Sequence, residues 1–168
     1  MGQSHNSSDR RIDPPVERSF HSGNARFHLR IFTIDGWKTR EPLAELRRGD
    51  HVLWTNRLPN SHGPRDAVVL DSGQVVLLDE WINVASLRAI TLLDPKGEVR
   101  AVFSYGQVRD AVGVSSTDLS RLARTGPYGR GTWLGGHPVV VGHRIEIPAG
   151  GKTLILDLSQ KVLQLRSK

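Results

Sequence analysis

Short apolar runs in which every second side chain is hydrophobic, separated by glycine-bearing turns, constrain this chain more than any other feature. From Phe27 the order Phe-His-Leu-Arg-Ile-Phe places Phe27, Leu29 and Ile31 on one face and His28, Arg30 and Phe32 on the other, the two-residue period of a strand. Asp71-Ser72-Gly73 separates two apolar runs at 67–70 and 74–78 and reads as a hairpin. Asp94-Pro95-Lys96-Gly97 is a second turn, after which Val99, Ala101 and Phe103 alternate with Glu98, Arg100 and Val102. Strands are also expected in the two apolar runs of 80–93, where the period alone also allows a helix. Beyond Trp133 they are expected at 139–141, 144–147, 153–158 and 162–165, with Pro148-Ala149-Gly150-Gly151 as the turn.

Two stretches break this period. Residues 42–48, Pro-Leu-Ala-Glu-Leu-Arg-Arg, combine good helix formers with a stop at Gly49, so a short helical turn entering a strand is expected there. That segment is similar to the corresponding part of Hint-type and SH3-like barrels, which implies a small barrel. The nucleophile and downstream histidine of Hint chemistry are not found. Residues 104–126 carry the second break. Ser104 caps a helix whose inward face is Val108, Ala111 and Val112, and Gly113 ends it. Ser115 or Ser116 then caps a second helix held by Leu119, Leu122 and Ala123.

The run from Gly113 through Val114 and Ser115 to Leu119 and Leu122 resembles the turn and recognition helix of LacI-type bacterial repressors and of the small DNA-binding modules of homing endonucleases. The resemblance covers about 20 residues. It implies that Gly113 allows the turn, Val114 seals the corner, and Leu119 and Leu122 lock the second helix; Arg109 stands where such modules usually carry Ala. It also implies that Ser115, Ser116, Thr117, Ser120, Arg121 and Arg124 face a nucleic acid. Pro127 to Trp133 reads as a glycine-rich wing with Tyr128, Arg130 and Trp133.

The expected architecture is therefore α+β: a β-rich, barrel-like single domain with a short helix-turn-helix-like segment. Residues 1–28, polar and rich in Ser, Arg and Pro, are expected to be a flexible tail. The folded domain spans 29–168, divided into a β-rich part at 29–103, the helical segment at 104–126, and wing and strands at 127–168.

The formal charge of +6 points to a polyanionic partner, and its distribution sharpens that. Residues 66–98 hold six acidic and two basic side chains, whereas 99–133 hold five basic and two acidic, so the excess positive charge lies outside an acidic middle block. Arg47, Arg48 and Arg57 form a second basic group, and Arg130 joins the first. With no cysteine, disulfides, thiol nucleophiles and Cys-bound zinc are excluded. His137 and His143 lack a convincing third ligand, and no phosphate-cradling glycine motif is present. No catalytic residue, metal site or cofactor is expected. No apolar run approaches the ~18 residues of a membrane span, and the start of the chain does not read as a secretory signal, so a cytoplasmic protein is expected. The functional expectation is a non-enzymatic protein that binds DNA or RNA. The alternative is a self-assembling structural protein of viral or phage type, a homo-oligomer whose acidic block docks on the basic segments of its neighbour.

Overall fold

The computed structural model describes residues 12–82 and 85–166. The chain forms three consecutive four-stranded antiparallel sheets. The first is a meander of β1 (Glu17–His21), β2 (Phe27–Phe32), β3 (Leu43–Arg48) and β4 (His51–Arg57). The second is β5 (Asp66–Val69), β6 (Val75–Leu78), β7 (Ile90–Leu93) and β8 (Val99–Phe103). Two short helices follow, α1 (Tyr105–Val112) and α2 (Ser116–Ala123). The third sheet is β9 (Val139–Val141), β10 (Arg144–Ala149), β11 (Lys152–Asp157) and β12 (Val162–Leu165).

The second sheet lies in the middle of the molecule and is covered on both faces. Val68, Leu70, Val76, Leu78, Ile90 and Leu92 pack with the helices and with Ile145, Ile147, Leu154 and Leu156 of the third sheet. Ala67, Val69, Val75, Leu77 and Leu93 pack in the opposite direction, with Leu29, Ile31, Leu46 and Trp54 of the first sheet. Double coverage explains why every residue of β6 (Val-Val-Leu-Leu) and β7 (Ile-Thr-Leu-Leu) is buried and why all but Thr91 are apolar. The outer β2 instead alternates between buried and half-buried positions. Each fully buried aliphatic side chain contributes about 1.5–3 kcal/mol, so the middle sheet is the main source of cohesion.

This architecture corrects the expected fold class. Among the described residues the protein is a mostly β fold of twelve strands with two eight-residue helices and no closed barrel, not an α+β domain built on a helix-turn-helix. The helices do occupy the expected residues. Ser104 accepts a hydrogen bond from the Gln107 amide in a complete capping box, Gly113 ends α1 at φ +69°, and Ser115 caps α2. Their packing is what differs: α1 rests on β11 and β12, and α2 on β10. Gly150, in the β10–β11 turn, fits under the corner between them; a Cβ there would lie 2.8 Å from Val112 Cγ1 and 3.2 Å from both Val114 and Leu119. The helices are thus an attachment to β-sheets rather than a self-contained helical module.

Three local expectations are also corrected. Residues 17–21, read as part of a flexible tail, form β1 and pair along their whole length with β2. Residues 43–48 form β3 rather than a helical turn: Ala44 and Leu46 point into the core, and both edges of the strand are paired, with β2 and with β4. Two rows of interstrand hydrogen bonds override a modest helical preference. In the run from Trp81 to Leu87 the described residues lie in turns, and residues 83 and 84 fall outside them.

Candidate nucleic-acid interface

The expected contact residues are dispersed. Ser115 serves α2 itself, its Oγ accepting from the Asp118 amide at 3.1 Å and donating to Asp118 Oδ2 at 2.9 Å. Arg121 is exposed but pairs with Asp118 at 3.2 Å. Ser116, Thr117 and Arg124 are exposed and Ser120 is half-buried. On the first sheet Arg47 is held by Glu45 at 2.6 Å, and Arg48 lies 5.9 Å from the Phe27 ring centre. Arg57 donates to the Glu41 carbonyl at 3.5 Å. Arg48 is opposite His51 and Arg57 is opposite Leu43, so these cations mark the two ends of the β3–β4 ladder instead of one patch. The helices sit on the third sheet and these arginines on the first, and the structure does not unite the two groups.

The acidic block is not a solvated face. Of its six carboxylates Asp79, Glu80 and Asp94 are buried, because the block is the middle sheet and its acids fasten turns. Asp94 accepts from the amides of Lys96 and Glu98 and from Arg100. Asp79, at φ +62°, accepts from the Glu80 amide at 2.8 Å and from the Thr132 hydroxyl at 2.6 Å. Its burial pushes the carboxyl up to about 7, with the Thr132 bond and nearby Arg65 acting in the opposite sense.

A different site forms where β1, the start of β5, Trp81 and the loop after α2 meet. Arg18 lies 5.1 Å and Arg65 4.6 Å from the Trp81 ring centre, both at cation–π range. Arg18 Nη1 donates to the Arg65 carbonyl at 3.2 Å. Arg65 Nη2 donates to the carbonyls of Arg130 and Gly131 at 3.3 and 3.1 Å, which ties the wing to the middle sheet. Neither guanidinium has a carboxylate within salt-bridge distance among the described residues, and Arg18 Nη2 and Arg65 Nε are buried without any partner. Burial lowers Arg18 to about 10 despite the field of Asp66, and Arg65 also shifts down through burial.

These two arginines, Phe20, Trp81 and Tyr128, with Pro15, Ser19 and Pro127, line a cleft of about 430 Å³. At its rim the Tyr128 hydroxyl donates to Asp66 and is 2.8 Å from His137 Nδ1. With its proton given to Asp66, the phenol oxygen accepts from the His137 Nδ1–H, so the three side chains form a chain that fixes the ring of Tyr128. Burial and the Asp66 carboxylate push the Tyr128 phenol up, keeping it neutral. Of the two wing aromatics, Tyr128 faces this cleft and Trp133 is fully buried in the core.

Sequence reasoning missed Arg18, Arg65 and Trp81 because nothing local marks them: Arg18 stands in a stretch that reads as tail, and Arg65 in a proline-bearing loop. No protein-family model, curated protein or solved structure matches this chain. No described helix is long and apolar enough to cross a membrane, and no described group of three or more His, Asp or Glu side chains could hold a metal ion.

Proposed function

We propose that this chain is a non-enzymatic nucleic-acid-binding protein acting in the cytoplasm, and that the cleft and the adjoining wing, rather than the outer face of α2, carry the binding. The observation behind this reading is that Arg18 and Arg65 are held by backbone carbonyls and an aromatic face instead of by acids. A half-buried cation that no carboxylate contacts directly is costly, and a phosphate oxygen supplies the ionic hydrogen bond that Asp66 and Asp79, acting only at a distance, do not make. Arg124 and Arg130, exposed and without ion pairs among the described residues, lie on the loop that leads from α2 to the cleft, extending the positive charge along one path.

Fluorescence titration with single-stranded DNA, RNA and duplex DNA at 50 and 200 mM salt tests the proposal. Binding whose logarithm falls with log salt by ~0.7 per phosphate contact for single strands supports it, and the absence of binding at low salt overturns it.

One observation favours assembly as a second reading. Strand β9 is the edge of the third sheet, and Val139, Val140 and Val141 are 55%, 45% and 50% exposed, an apolar edge of the kind that pairs with another strand. Sedimentation that stays monomeric up to high protein concentration removes that reading.

A further inference from the structure

We infer that the cleft accepts one nucleotide of a single strand, phosphate on the arginines and base against the aromatic wall, and that duplex does not enter it. The inference rests on the nucleic-acid reading above and names what that site recognises.

Two observations, the lining of the cleft and its size, lead to it together with the stacking of bases in a duplex. The cleft has two chemically distinct sides: the guanidiniums of Arg18 and Arg65, and the rings of Phe20, Trp81 and Tyr128. A nucleotide has the same division between an anionic phosphate and a planar base. The cleft opens to solvent and its volume of about 430 Å³ is of the size of small-molecule sites, roughly 300–1,000 Å³, enough for a single nucleotide and far too little for a double helix. A base inside a duplex is stacked on both faces and would have to be extruded to enter, whereas a base of a single strand is already accessible.

The wall is also fixed in advance. Tyr128 is held by Asp66 and His137, Arg65 by two carbonyls of the wing, and Trp81 Nε1 by the Ile12 carbonyl at 2.8 Å. Little side-chain freedom is left to lose on binding. Arg18 is additionally placed 5.9 Å from the Phe20 ring centre, so its charge is directed along the aromatic side rather than out to solvent. The other anion-binding candidates are weaker. The α2 surface holds its own acid, and Arg47 is already paired with Glu45.

The test uses the full chain and four probes: a thymidine 12-mer, the same-length oligomer with abasic sites, a duplex of equal length, and thymidine monophosphate. Trp37, Trp54 and Trp133 are buried while Trp81 borders the cleft, so the binding signal is tryptophan quenching that disappears in Trp81→Phe. The 12-mer is expected to bind about tenfold or more tightly than the abasic strand and the duplex, and the monophosphate to compete with it. Arg65→Gln is expected to remove about tenfold of the 12-mer affinity. Circular dichroism checks its folding, and Tyr128→Phe, which removes only a hydroxyl, serves if that variant unfolds. It is expected to weaken the 12-mer while leaving the abasic strand unchanged.

Equal affinity for 12-mer, abasic strand and duplex, read as the fluorescence anisotropy of end-labelled polymers and accompanied by no change in Trp81 emission, overturns the inference and leaves nucleic-acid binding itself standing. Absence of binding by all three polymers overturns that reading as well. Monophosphate competition together with a preference for the 12-mer supports both.

Discussion

Arg121 on α2 and Arg65 in the cleft are both arginines beside an aspartate in the folded chain, yet their surroundings oppose each other. Arg121 is exposed and reaches Asp118, one turn back on its own helix, at 3.2 Å. Its charge is already balanced, and water screens what remains. Arg65 is half-buried and bound to carbonyls, and the nearest buried acid, Asp79, has its ionisation opposed by burial. A cation visible in a sequence therefore says little about anion binding until its local counter-charges are known. Position on an exposed helix face does not change that balance.

The largest expected effect that bears on this contrast is the loss of both cleft cations. Arg18→Gln with Arg65→Gln should weaken single-stranded oligonucleotide binding about a hundredfold, whereas Arg121→Ala with Arg124→Ala should cost only the contribution of Arg124. A reversed ranking in a salt-controlled titration would place the interface on α2.

Next in size is Gly150→Ala. A left-handed φ of +57° and a Cβ 2.8 Å from Val112 should together destabilise the fold by about 2 kcal/mol, read as a lower midpoint in urea. If the cleft is the interface, the affinity of the folded fraction should be unchanged although the helices are disturbed.

Asp79 supplies a pH test of intermediate size. Its folded value, about 7, lies above the ordinary carboxylate value of 3.8, so the folded state holds a proton that the unfolded chain releases. Its contribution to stability is complete below about pH 4 and is lost as pH rises through about 7. Asp79→Asn should remove that decline, on the order of 2–3 kcal/mol between pH 5 and 8, as followed by denaturant unfolding at several pH values. Because ionised Asp79 also draws on Arg65, oligonucleotide affinity should fall over the same interval in the wild type and stay level in the variant. A wild-type affinity that is flat from pH 5 to 8 would separate Asp79 from the cleft.

The smallest effect is expected for Arg121→Ala alone, less than about twofold in affinity with the salt slope unchanged. A loss of one unit in that slope would show Arg121 leaving Asp118 for a phosphate.

The amino-acid order by itself determined what short-range hydrogen bonding and backbone sterics fix. Ser104 and Gly113 bound α1, Ser115 opens α2, and Asp71-Ser72-Gly73 closes the β5–β6 hairpin with Gly73 at φ +85°. In each case the partners lie within a few residues, so the preference is present before the chain folds. Tertiary structure decided the rest. The Leu-Ala-Glu-Leu segment became β3 because strands pair on both of its sides, and the acidic block became the doubly covered middle sheet. Arg18 and Arg65, 47 positions apart, came together only through the packing of β1 beside β5. Contacts at such separation leave no periodicity in the sequence, because their energy depends on which surfaces remain to be buried once the local elements have formed.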